Sequence, residues 1–328
     1  VDCASPGQAM LFGPQRRRIP RWHDLERPVL HGAIQGREVW SLGAVGAHPF
    51  TLDTMAPIIE DAFDVFAELT GRRHQLVRCH RVDDAEVVLV AQGSSTEVIE
   101  TVVDHLRTQR KLRVGVVSLI GLRPFPGAAL VKALLGKRHV AVLERVDALL
   151  AEDPPLMREL RAAMDKALEN HTCDAVVHAG FPAADAQRLP QLHAVIYGLG
   201  GYPLRSGDLV ALVEELEQGG RPLVYLGMDF SRRESRYPKR QVLLDQLQRL
   251  WPGELAPGLT GYQNLDVRPP GASVIVVHRV GASKGTAMAS DVGRILQVVL
   301  GGHVRGRAGE SQERWQAPRV DRVVHASS

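Results

Sequence analysis

The chain has 328 residues and a mass of 35.9 kDa, a length that suggests two domains or slightly more. Apolar residues make up 45% and charged residues 23%, enough to bury a sizeable core and too apolar for a disordered or fibrous chain. Forty Lys and Arg against 37 Asp and Glu leave a formal charge of +3, too balanced for a dedicated nucleic-acid binder.

Residues 1–52 show little periodicity and many glycines from His31 to Phe50, and are expected to be an extended arm lying across another surface. From Asp53 the pattern becomes regular. Ile58, Ile59, Phe63, Phe66, Ala67 and Leu69 recur at helical spacing up to Gly71, which predicts a helix. Apolar runs at 86–91, 113–119 and 139–143 read as strands buried on both faces, separated by helices over 97–107 and 128–135. Strands alternating with helices through short connectors imply right-handed βαβ units around a parallel sheet. After Pro154 and Pro155 a helix is expected over 156–170, then a strand at 193–197, a glycine turn at 198–201, a helix over 208–218 and a strand at 222–226. Residues 231–240 are polar and Arg-rich and read as surface. A Pro/Gly-rich passage from Trp251 to Gly271 reads as a linker. Beyond it come a strand at 273–277, a glycine loop at 281–285 and a helix over 286–300. The fold class predicted is α/β, doubly wound and mostly parallel, with domains at 53–150, 151–265 and 266–328. The last has too little chain after Leu300 to close a sheet, so the chain either ends early or is completed by a partner.

The loop Gly281, Ser283, Lys284, Gly285, Thr286 joins a strand to a helix. Backbone N–H groups there can approach an anion while the helix dipole favours negative charge; a plain strand-to-helix turn is the alternative reading. Gly93-Ser94-Ser95-Thr96 occupies an equivalent position, where ligands collect in such sheets, but Ser and Thr are also preferred helix caps, and capping is the expectation. Arg123-Pro124-Phe125 reads as a packed corner. The 13 histidines form no paired metal-binding motif, no serine sits in a nucleophile elbow, and no cysteine has an activating neighbour. Cys3, Cys79 and Cys173 are too few for an iron–sulfur cluster and too scattered for a disulfide framework. No apolar run approaches the roughly 18 residues of a membrane span, and the N-terminus lacks the order of a signal peptide. A cytoplasmic protein with no nucleic-acid or membrane partner and no metal site or catalytic residue of its own is expected.

Several segments together resemble the pyruvate:ferredoxin (flavodoxin) oxidoreductase family. They are Arg27-Pro28-Val29 with 31–35, Ala47-His48-Pro49-Phe50, residues 84–94 (DAEVVLVAQGS), Gly115-Val116-Val117-Ser118-Leu119, Leu122-Arg123-Pro124-Phe125, and 139–145 (HVAVLER). Residues 194–201 and 224–229 resemble later family segments. Residues 283–286 with the helix after them are similar to the turn that opens the family's gamma-type domain, with Lys284 in place of an acid. The resemblance implies a transketolase-C-like domain that braces an assembly, and a coenzyme A phosphate site at Gly281, Ser283, Lys284, Gly285 and Thr286. It implies oxidative decarboxylation of pyruvate or a related 2-oxoacid to acyl-CoA in a dimeric assembly, with ferredoxin or flavodoxin as electron acceptor. Thiamine diphosphate, magnesium and iron–sulfur clusters are expected on partner segments, and the chain is expected to be inactive alone. The alternative is a non-catalytic α/β CoA/nucleotide-binding or interaction protein that kept the fold.

Overall fold

The computed structural model describes residue 26, residues 35–49, 54–146, 148, 150–230, 237–261, 263 and 265, and the backbone of 275–280 and 322–327. The chain divides into two compact units, residues 1–74 and 75–328, and each is taken by itself.

In the first unit, α1 spans Arg37–His48 and α2 spans Thr54–Thr70. Within the arm expected over 1–52, residues 37–48 are therefore helical. Gly43 and Gly46 lie within α1 and depress its helical propensity, which hid it from periodicity. In α2 the expected helix is present, and Gly71 ends it at φ +72, a left-handed conformation open to glycine. Ile58 and Leu69 are 57% and 41% exposed.

The second unit is built on one sheet of seven strands. They are β1 (Val77–His80), β2 (Val87–Gln92), β3 (Val114–Leu119), β4 (His139–Glu144), β5 (Gln191–Tyr197), β6 (Leu223–Leu226) and β7 (Gly258–Leu259), in the order β1-β3-β2-β4-β5-β6-β7. Only β1, at the edge, runs antiparallel. The helices are α3 (Ser95–Arg110), α4 (Gly127–Leu134), α5 (Pro155–Thr172), α6 (Ser206–Glu217) and α7 (Pro238–Leu250). The doubly wound, mostly parallel α/β class is what the structure shows. The sheet does not stop at 150/151, where a domain boundary was expected, because β4 and β5 pair in register from His139↔Gln191 to Glu144↔Ile196. Nor is 251–271 only a linker, since β7 lies within it and extends the sheet. Two further strands, β8 (Ile275–Val280) and β9 (Arg322–Ser327), pair parallel with one another in a separate sheet.

The four central strands are apolar on both sides, as a sheet covered on both faces requires. On one face Leu89, Val116, Leu143 and Val195 pack against Ile99, Val103 and Leu106 of α3 and Leu209, Leu212 and Leu216 of α6. On the other, Val88, Val90, Val117, Val140 and Val142 pack against Leu130, Val131 and Leu134 of α4 and Met157, Leu160 and Ala163 of α5. Gly115 in β3 is forced by close approach of the chain after β1: a Cβ there would lie 2.6 Å from the Arg81 carbonyl oxygen.

This distribution has a topological consequence. The α3 crossover steps from β2 toward the β1 edge, and the α6 crossover steps from β5 toward the β7 edge, yet both helices lie on one face. Crossovers taken in opposite directions over the same face have opposite hands. The α4 and α5 crossovers step toward the β7 edge on the opposite face and so share the hand of α3. The β5–α6–β6 connection is therefore the odd one, against a rule that about 98% of such connections obey.

Candidate functional site

In an open parallel sheet, ligands bind outside the carboxyl ends of the strands where the strand order reverses. Here that point lies between β2 and β4, because the chain leaves β2 for β3 on one side and returns to β4 on the other. A cleft of about 420 Å³ opens there, lined by Gln92, Gly93, Ser94 and Ser95 after β2, Arg145 after β4, and Gly201, Tyr202, Pro203 and Leu204 after β5, with Leu143 and Tyr197 also in its walls.

Each contributor is placed by its element. Gly93 turns the chain at φ +73, a conformation glycine adopts without a Cβ penalty. The Ser95 hydroxyl donates back to the Gln92 carbonyl at 3.0 Å and the Thr96 hydroxyl to the Gly93 carbonyl at 2.8 Å. The turn is thus braced by hydroxyl donation, whereas Ser94, at the N-cap position, accepts no helix N–H. The expected capping is not what the structure shows: no side chain of this turn accepts a helix N–H, and the hydroxyls of Ser95 and Thr96 brace the turn by donating to its carbonyls.

At the end of β4 two successive side chains part. Glu144 is 3% exposed, and its carboxylate accepts from the backbone N–H of Leu156 at 2.7 Å and of Met157 at 3.1 Å. It thereby caps α5, whose first turn begins with Pro155. Burial raises the Glu144 carboxyl pKa more than the two donors lower it. Arg145 is exposed in the cleft and makes no ion pair among the described residues. Its stem lies on Gly198, where a Cβ would come within 2.9 Å of Nε.

Among the described residues Arg145 is the one formally charged side chain lining the cleft, and no described carboxylate, histidine or cysteine joins it. The arrangement offers a guanidinium, hydroxyls and the start of a helix, which suits it to hold an anionic or polar group. Among the described residues no three His, Cys, Asp or Glu gather as a metal site. The loop Gly281, Ser283, Lys284, Gly285, Thr286 lies outside the described residues; β8, ending at Val280, leads directly into it. At Arg123 the packed-corner reading holds. Phe125 packs against the core, and Arg123 pairs with Glu159 at 2.6 Å.

Sequence reasoning missed Arg145, Tyr202 and Leu204 as neighbours of Ser94, because residues 50 to 110 positions apart converge only through strand order. It also missed the pairing of His139 and His193. These are 3% and 0% exposed and sit side by side on β4 and β5, Nδ1 of His139 lying 3.0 Å from Nε2 of His193. The Arg221 carbonyl can only accept, at 2.8 Å, so His193 Nδ1 carries the hydrogen. His193 Nε2 then accepts from His139 Nδ1–H, which leaves His139 Nε2 as a buried acceptor with no partner among the described residues. Desolvation lowers the pKa of both imidazoles. The pair lies at the amino ends of its strands, away from the cleft, and is structural.

Comparison with known proteins agrees with this architecture. The family described as pyruvate:ferredoxin oxidoreductase core domain II matches residues 85–201, from the start of β2 through the turn after β5. The chain is 28% identical over 168 residues to pyruvate synthase subunit PorA of Thermotoga maritima, covering 51% of this chain and 38% of that protein. It is 28% identical over 171 residues to the PorA subunit of Methanothermobacter thermautotrophicus, covering 52% and 38%. With pyruvate-flavodoxin oxidoreductase of a Nostoc species it shares 26% identity over 194 residues, 59% of this chain but 16% of that one. The chain thus spans well under half the length of these relatives. The segment that forms β2 to β5 and their helices is thus similar to core domain II of the pyruvate:ferredoxin oxidoreductases.

Proposed function

We propose that this chain is the core-domain-II portion, or a separate subunit, of a 2-oxoacid:ferredoxin (flavodoxin) oxidoreductase that converts pyruvate or a related 2-oxoacid to acyl-CoA. The observation that carries this reading is the match over residues 85–201, which coincides with the strands framing the cleft. In such an enzyme thiamine diphosphate supplies the decarboxylation chemistry and iron–sulfur clusters carry the electrons. By resemblance to the family, those groups are assigned to partner segments. This chain's own contribution is a rigid sheet that braces the assembly. Its cleft at Ser94 and Arg145 suits a carboxylate or phosphate group.

By likeness of sequence, Gly281, Ser283, Lys284, Gly285 and Thr286 form the phosphate cradle for coenzyme A, with Lys284 adding a cation where the family has an acid. Calorimetry of the full chain with coenzyme A, compared with Lys284→Ala, tests that cradle. A weaker affinity in the variant supports it, and equal affinities remove Lys284 from it. For the chain as a whole, the expected result is copurification with other subunits of an oxidoreductase and no turnover of pyruvate by the isolated polypeptide. Turnover with an artificial acceptor by the pure chain overturns the bracing role.

A further inference from the structure

The first unit carries an apolar surface that its own described residues leave uncovered. Along α2, Met55, Ile58, Ala62, Val65 and Leu69 follow one another in alternating steps of three and four, the spacing that keeps a stripe facing a partner helix. Met55 is 38% exposed, Ile58 57%, Val65 48% and Leu69 41%. The adjoining stripe differs. Phe63 and Phe66 are half-buried and lie 6.0 and 5.3 Å, ring to ring, from His74. The helix therefore already spends one apolar side on its own unit and offers a second.

Charge decides what fits there. Glu60, Asp61, Asp64 and Glu68 are the charged residues of α2, with no Lys or Arg among its 17 residues, and none of the four makes an ion pair among the described residues. By helical geometry Asp61 and Glu68 border the exposed stripe. A second copy of α2 laid antiparallel on this stripe would bring Asp61 and Glu68 against the same carboxylates of its mate. A helix with the same three–four apolar spacing and Lys or Arg at its borders would bring opposite charges together. We infer that the Met55–Leu69 stripe of α2 is a docking surface for a basic amphipathic helix of another polypeptide. This inference does not depend on the oxidoreductase reading.

The test uses the full chain and two synthetic probes, leucine-seamed helical peptides alike except that one is bordered by lysines and the other by glutamates. Fluorescence anisotropy should show the lysine peptide binding at least tenfold tighter, with the gap narrowing as ionic strength rises. Asp61→Lys/Glu68→Lys should reverse the preference, and Val65→Asp should abolish binding of both; all three positions are exposed, and circular dichroism checks that each variant folds. The inference is overturned if neither peptide binds, if the preference survives the charge reversal, or if Val65→Asp leaves binding unchanged. It is also overturned if sedimentation shows the chain self-associating through this stripe, with dimers lost in Val65→Asp.

Discussion

At single positions, what decides the outcome here is how a buried polar atom is satisfied. Glu144 and Arg145 are neighbours in sequence, yet one is buried as the cap of α5 and the other stands free in the cleft, since successive strand residues point to opposite faces. His139 and His193 are a second case. Their pKa values are lowered mainly by desolvation, so both imidazoles are neutral in the fold, whereas in the unfolded chain they titrate near 6.5. Below that value the unfolded chain binds more protons than the folded one. The stability they contribute is thus fully present above pH 6.5 and is lost as the pH falls from there through the lowered folded values. Each histidine adds a slope of at most about 1.4 kcal/mol per pH unit. Urea midpoints measured between neutrality and mild acid should fall with pH in the parent and flatten in His139→Leu/His193→Leu. An unchanged slope in the double variant would show that the pair is not the acid-sensitive element. None of this was legible in the sequence. The two histidines are 54 residues apart and meet only by strand register.

Among the elements, the long strands and helices were readable because continuous Val/Leu runs and three–four spacing leave few alternatives. The short ones were not. Strand β1 has four residues and is only half covered, and β7 has two residues within a Pro/Gly-rich stretch. Helix α7 buries Leu244 alone, so its apolar residues follow no core-facing pattern. The unusual hand of the α6 crossover was also illegible, since handedness is set by which face a helix packs on, and periodicity is silent about faces. What holds α6 there is Asp208, which has no exposed surface. One oxygen accepts from the Thr260 hydroxyl at 3.0 Å and from the Gly261 N–H at 2.9 Å, and the other from the Arg205 N–H at 3.3 Å. This carboxylate ties the first turn of α6 to the segment leaving β7. Gly261 can approach because it lacks a Cβ, which would fall 1.9 Å from the Gly207 carbonyl oxygen. Replacing Asp208 by Ala strands the Gly261 N–H and the Thr260 hydroxyl, at an expected cost of about 2–4 kcal/mol. Asp208→Asn, which retains an acceptor, should cost roughly half of that. Chemical denaturation reads both. A loss under about 0.5 kcal/mol in Asp208→Ala would mean that helix packing alone holds the crossover.

For the molecule as a whole, the question is where the cooperative unit ends. A boundary at 150/151 was reasonable from composition, since Pro154 and Pro155 follow a weakly patterned stretch. Proline at the first turn of a helix, however, starts an element without ending a domain, and Pro155 opens α5. Both cores draw on residues from either side of that point. Leu89 and Leu143 share one cluster with Val195 and Leu212, and Leu130 and Val142 share the other with Leu160 and Ala163. Cutting at 150 would expose both at once. Burial of apolar surface returns about 25 cal/mol per Å², and neither half keeps enough of it to offset its chain entropy. Residues 75–265 should therefore unfold in one cooperative urea transition with coincident far- and near-ultraviolet signals, while 75–150 and 151–265, expressed separately, should each lack a folded baseline. The segment matched by the family, 85–201, stops before α6, β6 and β7. It should be less stable than 75–265, because Leu209, Leu212 and Leu216 of α6 cover one face of its central strands. If 85–201 proves as stable as 75–265, the added strands and the odd-handed crossover are an appendage to the sheet, and their purpose has to be sought at the cleft whose rim they adjoin.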